Sequence, residues 1–425
     1  MVMISITIWW GDSLILLGLK MQSMAVLSCW VMGALQGAIL ILVPEMMLQG
    51  QLSALQLALP LSLGTFVFMC FSGHWGKLLD AHHIKNKSLV LVIRWVLLGF
   101  LISQLSFIAF MQFSDFKGLF LVFALCLSRV IHGVFCSAII PSAQLALSRN
   151  DKKGEKLVWS SIATNVGRVT APLLTFVPVD LNYFSLWFIA AITFTAFILA
   201  WFNKDKPQPI NGILSSIKTL SENESIEVFS LLKNPLLLSI CTAAVLISLF
   251  SSQLQFSLGP LLLGTFSDAN LASEMTAKLL FAASASALIS LFILYRPLSR
   301  SPKIFLSVIA VSFITGGCLF VMQQELIIAV TLISAALSMA PAWYSALAIH
   351  ASKHNKARTS ATISQGHTLG NAFGGLLGGL FLVLGQQLLL LSFILFMVLI
   401  LLAWLTIFSR SSSFNQNQKS LITES

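Results

Sequence analysis

The chain has 425 residues, of which 57% are hydrophobic and only 9% charged, and a formal net charge of +10. Its mean hydropathy is +0.90. These values exclude an ordinary soluble domain and point to a polytopic membrane protein, in which a basic excess is a signal of topology, not of nucleic-acid binding.

Residues 1–23 form an apolar lead-in with Trp9, Trp10 and Asp12 that lacks the basic start and small-residue cleavage site of a secretory signal. Apolar runs of about 20 residues then recur, each long enough to cross roughly 30 Å of hydrocarbon as a helix. Six are predicted at 24–46, 55–76, 88–110, 118–146, 157–177 and 183–202. A polar stretch at 203–234, containing Lys204-Asp205-Lys206-Pro207, breaks the pattern. Six further spans, at 235–259, 275–295, 303–322, 326–350, 360–382 and 385–408, precede a polar tail at 409–425. The predicted organisation is therefore all-α, with twelve transmembrane helices in two six-helix bundles, 24–202 and 235–408, joined by a central loop. All six cysteines lie in apolar runs without a CxxC pair, so neither disulfides nor a metal site is expected, and no cofactor is implied.

Orientation follows from the loops. With the N-terminus in the cytoplasm, the inner loops collect Lys77, Lys85, Lys87, Arg149, Lys152, Lys206 and Arg296, whereas the outer loops carry only Lys117 and Lys278. Acidic Glu45, Asp115, Asp180 and Asp268 lie outside. The positive-inside rule thus places both termini of a multi-pass membrane protein in the cytoplasm. Two halves joined by a cytoplasmic loop suggest a duplication around a central pathway. Gly167-x3-Ala171-Pro172 in the fifth span has an echo in Gly370-x3-Gly374-Gly375 in the eleventh, both small-residue ladders that let helices approach closely.

These residues resemble the major facilitator superfamily over essentially the whole chain. Gly73-His74-Trp75-Gly76-Lys77-Leu78-Leu79-Asp80, followed by Lys85, is similar to that family's signature loop between the second and third spans, with Ala81 and His83 at positions where arginine and glycine are usual. Arg129, four residues before Gly133, is similar to the arginine motif of the family's fourth span. Gly167 to Pro172 resembles a degraded antiporter motif and implies export. Gly76, Lys77, Asp80, Lys85, Gly167 and Pro172 are accordingly the expected gating residues. A narrower likeness, carried by Pro141-Ser142-Ala143-Gln144 and His367-Thr368-Leu369-Gly370-Asn371, is to bacterial exporters of carboxylate-type siderophores, a pattern shared with drug–proton antiporters.

Chemistry concentrates on two arginines. Arg129 lies eleven residues, about 16 Å, from the outer start of the fourth span, and Arg168 the same distance from the inner start of the fifth. A midplane arginine costs roughly 2.5–3.5 kcal/mol on insertion scales, and no carboxylate lies in the middle of any span to neutralise it. A guanidinium fork matches a carboxylate, so Arg129 and Arg168 are candidate substrate ligands, with Gln36, Gln253, Trp343, Tyr344 and Asn371 as further pathway residues. The alternative for Arg129 is capping of backbone carbonyls. Proton coupling needs a titratable group, for which His132, His367 and Glu45 are the candidates; packing is the competing role of each histidine. No nucleotide loop or nucleophile elbow is present, so an ion gradient, with protons favoured, is the expected energy source and no enzymatic activity is expected.

The resulting expectation is a monomeric secondary exporter of a small carboxylate-bearing molecule, a siderophore above all. Multidrug efflux and import of a siderophore or small anionic metabolite are the alternatives within transport, and a membrane sensor or scaffold is the alternative outside it.

Overall fold

The computed structural model describes residues 21–84, 89–148, 158–177, 183–202, 234–351 and 356–423. Among these the chain is helical, without strands. In order the helices are α1 (Met21–Ile41), α2 (Val43–Gly50), α3 (Ala54–Ile84), α4 (Leu89–Gln112), α5 (Gly118–Cys136), α6 (Ile139–Ser148), α7 (Val158–Leu174) and α8 (Phe184–Phe202). After the central loop come α9 (Pro235–Phe266), α10 (Ala269–Ile289), α11 (Pro302–Val321), α12 (Leu326–Ala351), α13 (Lys356–Leu384) and α14 (Gln386–Thr423). A π-helical turn at Ser290–Leu294 extends α10. Among the described residues, eleven helical segments are long and apolar enough to cross a membrane. The shorter α7, 17 residues long, stands where the fifth span is predicted. Leu119, Phe120 and Phe123 are 73%, 79% and 78% exposed, which hydrocarbon tolerates and water would not.

Several boundaries differ from those predicted, including the last, where α14 runs on to Thr423 through the stretch predicted as a tail; three of them bear on the motifs. The first span is not continuous to Met46: it stops at Ile41, and Pro44, which has no N–H to donate, sits in the first turn of the new helix α2. The fourth span divides at Ser137-Ala138, with Pro141 in the first turn of α6. Gly73 to Asp80 forms no loop: α3 runs through it to Ile84, since two isolated glycines weaken a helix without ending it.

The described residues group into two compact units that interleave along the chain. One gathers the described residues within Met1–Ile39, Val67–Ser114 and Leu127–Ser216. Its helices are tied by side-chain-to-backbone bonds: Ser128 Oγ donates to the Ser103 carbonyl at 2.8 Å, and Trp75 Nε1 to the Val134 carbonyl at 2.6 Å. Arg94 caps the end of α8, donating to the Ala200 and Trp201 carbonyls at 2.8 Å each while lying over the Trp201 ring.

The other unit gathers the described residues within Leu40–Phe66, Asp115–Cys126 and Ile217–Ser425. Its core is aromatic, with the rings of Phe250 and Phe313, Phe250 and Phe393, and Phe313 and Trp404 5.2–5.4 Å apart. Glycine seams join its helices. A Cβ added at Gly370 or Gly374 would lie 2.3 Å from the Val245 or Leu249 carbonyl oxygen of α9. In the same unit α2 packs on α9 and α10, with Gly259 against Pro44, and Gly379 against Ala58.

The seam makes a testable demand on Gly374. The atom that a new Cβ would meet is backbone and cannot turn away, so Gly374→Val is expected to cost about 1–3 kcal/mol or more through overpacking. Gly264→Ala, whose Cβ meets nothing within 4 Å, should be close to neutral. Thermal unfolding of the two detergent-solubilised variants checks the contrast.

Candidate functional site

The Arg168 site begins with a helix crossing. α1 and α7 meet over glycines: a Cβ at Gly33 would stand 2.0 Å from the Thr164 carbonyl oxygen, and one at Gly167 would stand 2.2 Å from that of Trp30. Gly37 faces Ala171 in the same contact. This approach brings Gln36 of α1 to Arg168 of α7. Arg168 donates from Nε and Nη2 to one oxygen, Gln36 Oε1, at 3.2 and 2.8 Å. The partner is an amide, so it positions the guanidinium without cancelling its charge. Arg168 is exposed and begins about 15 Å along α7 from Val158. The arrangement is a preset cation with an open side, suited to an anionic group.

Arg129 is placed differently. It is 8% exposed, makes no hydrogen bond among the described residues, and leaves Nε without a partner. His132, one turn further along α5, is 5% exposed, packs on the Phe100 ring at 5.3 Å, and leaves Nδ1 unpartnered. Both line a cavity of about 10 Å³ together with Ser103 and Gln104 of α4. Gln104 is 2% exposed, with neither amide atom bonded. It was not among the residues predicted, although a glutamine in the middle of an apolar span is the same kind of signal as an arginine there.

In the second unit His367 of α13 is bonded on both sides. Its Nδ1 lies 2.5 Å from Ser248 Oγ of α9, and its Nε2 lies 2.9 Å from the Tyr344 hydroxyl of α12. Ser248, like Gln104, is absent from the predicted set. Tyr344 is fully buried and stacks with the imidazole. Trp343 packs on Phe305 with ring centres 5.8 Å apart. Gln253 is wholly buried and donates to Ser392 Oγ at 2.6 Å, a bond between α9 and α14. The Asn371 side chain is exposed, and its carbonyl accepts from Ser252 Oγ at 2.9 Å.

Among the gating residues, Gly76 lies within α3 with open space where a Cβ would go, and Gly167 and Pro172 lie within α7. Lys85 falls outside the described residues, as do the side chains of Lys77 and Asp80. Glu45 is in α2, outside the membrane-crossing part of the first span, and accepts from Gln49 Nε2 at 3.0 Å. Burial pushes its carboxyl above the usual value, opposed in part by the Gln49 bond.

Cationic and imidazole side chains held inside apolar helices are what a membrane transporter carries along its pathway. The profile of the Major Facilitator Superfamily matches residues 25–323, and the chain belongs to that family. No curated protein matches the sequence. Among solved structures, the fold is similar to a bacterial homologue of the human lysosomal transporter Spinster, at 14% identity over 94% of this chain and 97% of that one, with a TM-score of 0.65. It is similar to the nucleoside transporter NupG at 14% identity, covering 93% and 99% of the two chains, TM-score 0.65. For the xylose transporter XylE from E. coli the identity is 12%, the coverage 92% and 96%, and the TM-score 0.65. The protein is a transporter of small molecules across a membrane and not an enzyme.

The environment of Glu45 sets a pH dependence. A carboxyl that holds its proton more tightly in the folded state than in the unfolded one favours folding below the ordinary glutamate value of about 4.3, and that contribution is lost as pH rises through the raised folded value. Glu45→Gln, which keeps the shape and removes the titration, should therefore gain stability relative to the natural protein across this window. Unfolding midpoints of both proteins, measured from pH 4 upward, check the sign.

Proposed function

We propose that this protein is a proton-coupled exporter of a small carboxylate-bearing organic molecule, a carboxylate-type siderophore being the class that the residue pattern favours. It would act as a monomer in a bacterial inner membrane, with both termini cytoplasmic, by alternating access of its two six-helix halves. The observation that carries the reading is Arg168: an exposed guanidinium, deep in an apolar helix, aligned by a neutral amide and left with its charge uncompensated. A carboxylate can take the free edge of that fork, gaining a charge-assisted, bidentate contact. The glycine crossing of α1 and α7 fixes the geometry before substrate arrives, which lowers the ordering cost of binding.

The coupling residue in this reading is His367. Its two partners are hydroxyls, which can each donate or accept. A neutral imidazole needs one donor and one acceptor, and an imidazolium needs two acceptors. Ser248 and Tyr344 can satisfy either state by turning their O–H bonds, so the proton can come and go without moving heavy atoms.

Three outcomes are expected in everted vesicles, where export appears as uptake. Arg168→Lys should retain charge but lose the fork and transport at least tenfold more slowly at low substrate, while Gln36→Leu should raise the substrate concentration needed for half-maximal rate. Normal membrane expression of Arg168→Ala with undiminished transport would overturn the assignment. His367→Gln should abolish proton-driven accumulation yet permit exchange of internal for external substrate; retention of uphill transport would remove His367 from the coupling role.

A further inference from the structure

The transport reading leaves the buried cavity of the first unit unused, although it gathers more unpartnered polar atoms than any other place among the described residues. Gln104 Nε2 and Oε1, Arg129 Nε and His132 Nδ1 all lack partners, and their residues are 2%, 8% and 5% exposed. Such groups are costly to bury empty-handed, by roughly 1–3 kcal/mol each and more for a charged one. The occupant must be small, because the cavity is about 10 Å³, room for a single water-sized or monatomic species. It must also answer a charge. None of the lining residues is acidic, the walls being apolar side chains such as Leu35 and Phe107, and Arg129 brings a full positive charge.

We propose that Gln104, Arg129 and His132 form a binding site for one small inorganic anion of halide size. The donors present are the Arg129 Nε–H, the Gln104 amide N–H groups and, in the tautomer that carries it, the His132 Nδ1–H. A water would accept two hydrogen bonds at most and leave the arginine uncompensated; a monovalent anion accepts from all three residues and neutralises it. The site is set apart from the exposed Arg168, whose fork is held by Gln36. It spans α4 and α5, which the Ser128–Ser103 bond already joins next to the cavity, so occupancy would stiffen this helix pair.

The test uses the full-length protein purified in detergent, at constant pH and ionic strength, with chloride exchanged for gluconate. Chloride is expected to raise the unfolding midpoint saturably, by about 3 °C at ten times its dissociation constant. Gln104→Leu, which replaces the amide by an apolar group of similar size, should fold and lose at least half of the rise, and Arg129→Met should lose all of it. Arg168→Ala should keep it. Equal midpoints in the two salts, a rise undiminished in Gln104→Leu, or a rise abolished by Arg168→Ala alone would each overturn the proposal. Retention of radiolabelled chloride by the natural protein, and its loss in Gln104→Leu, provides a readout that does not depend on stability.

Discussion

Hydrocarbon offers no hydrogen-bond partner, and the polar side chains within the spans of this protein are organised by that fact. Each must bond to its own helix, to a neighbouring helix or to something that is not protein. Many hydroxyls, such as those of Thr164, Thr193 and Thr276, turn back to a carbonyl of their own helix, while a smaller set reaches across: Gln253 to Ser392, Ser128 to the Ser103 carbonyl, and His367 to Ser248 and Tyr344. The bonds that reach across set which helices lie together and at what rotation. Arg168 is only half answered, by an amide that orients it, and the group around Arg129 is not answered by protein at all. The gradation from satisfied to unsatisfied separates residues that build the transporter from those available to a ligand.

Glycine makes these polar pairings possible. At Gly33, Gly167, Gly370 and Gly374 the opposing backbone lies where a Cβ would be, so α1 meets α7 and α9 meets α13 main chain to main chain. A short side chain such as that of Ser248 can span such a gap, whereas helices held apart by leucines would leave it stranded. The second unit adds an aromatic core around Phe250, Phe313 and Trp404.

Much of this was legible in the sequence because it depends on composition and local spacing. Arg168, His367 and the glycine ladders are conspicuous within apolar runs, and the run lengths predict the helices. Pairing was not legible. Gln36 stands out as a polar residue between glycines, but nothing local says that its partner is 132 residues away. Gln104 and Ser248 are harder to single out because a neutral polar residue in a span is commoner than a charge, although burial penalises it by the same mechanism. Helix ends depart from the sequence pattern where a motif resembles a loop: Gly73 to Asp80 contains no proline, and nothing in it stops α3.

The amide at position 36 has one more implication. A carboxylate in its place would be nearly isosteric, would form a salt bridge with Arg168, and would be present at an effective concentration that no free solute could match. The chain would then carry its own tethered competitor, permanently docked in the seat proposed for cargo. Glutamine gives the same alignment while withholding the charge, and so the difference between an occupied seat and a vacant one is a single atom, nitrogen in place of oxygen.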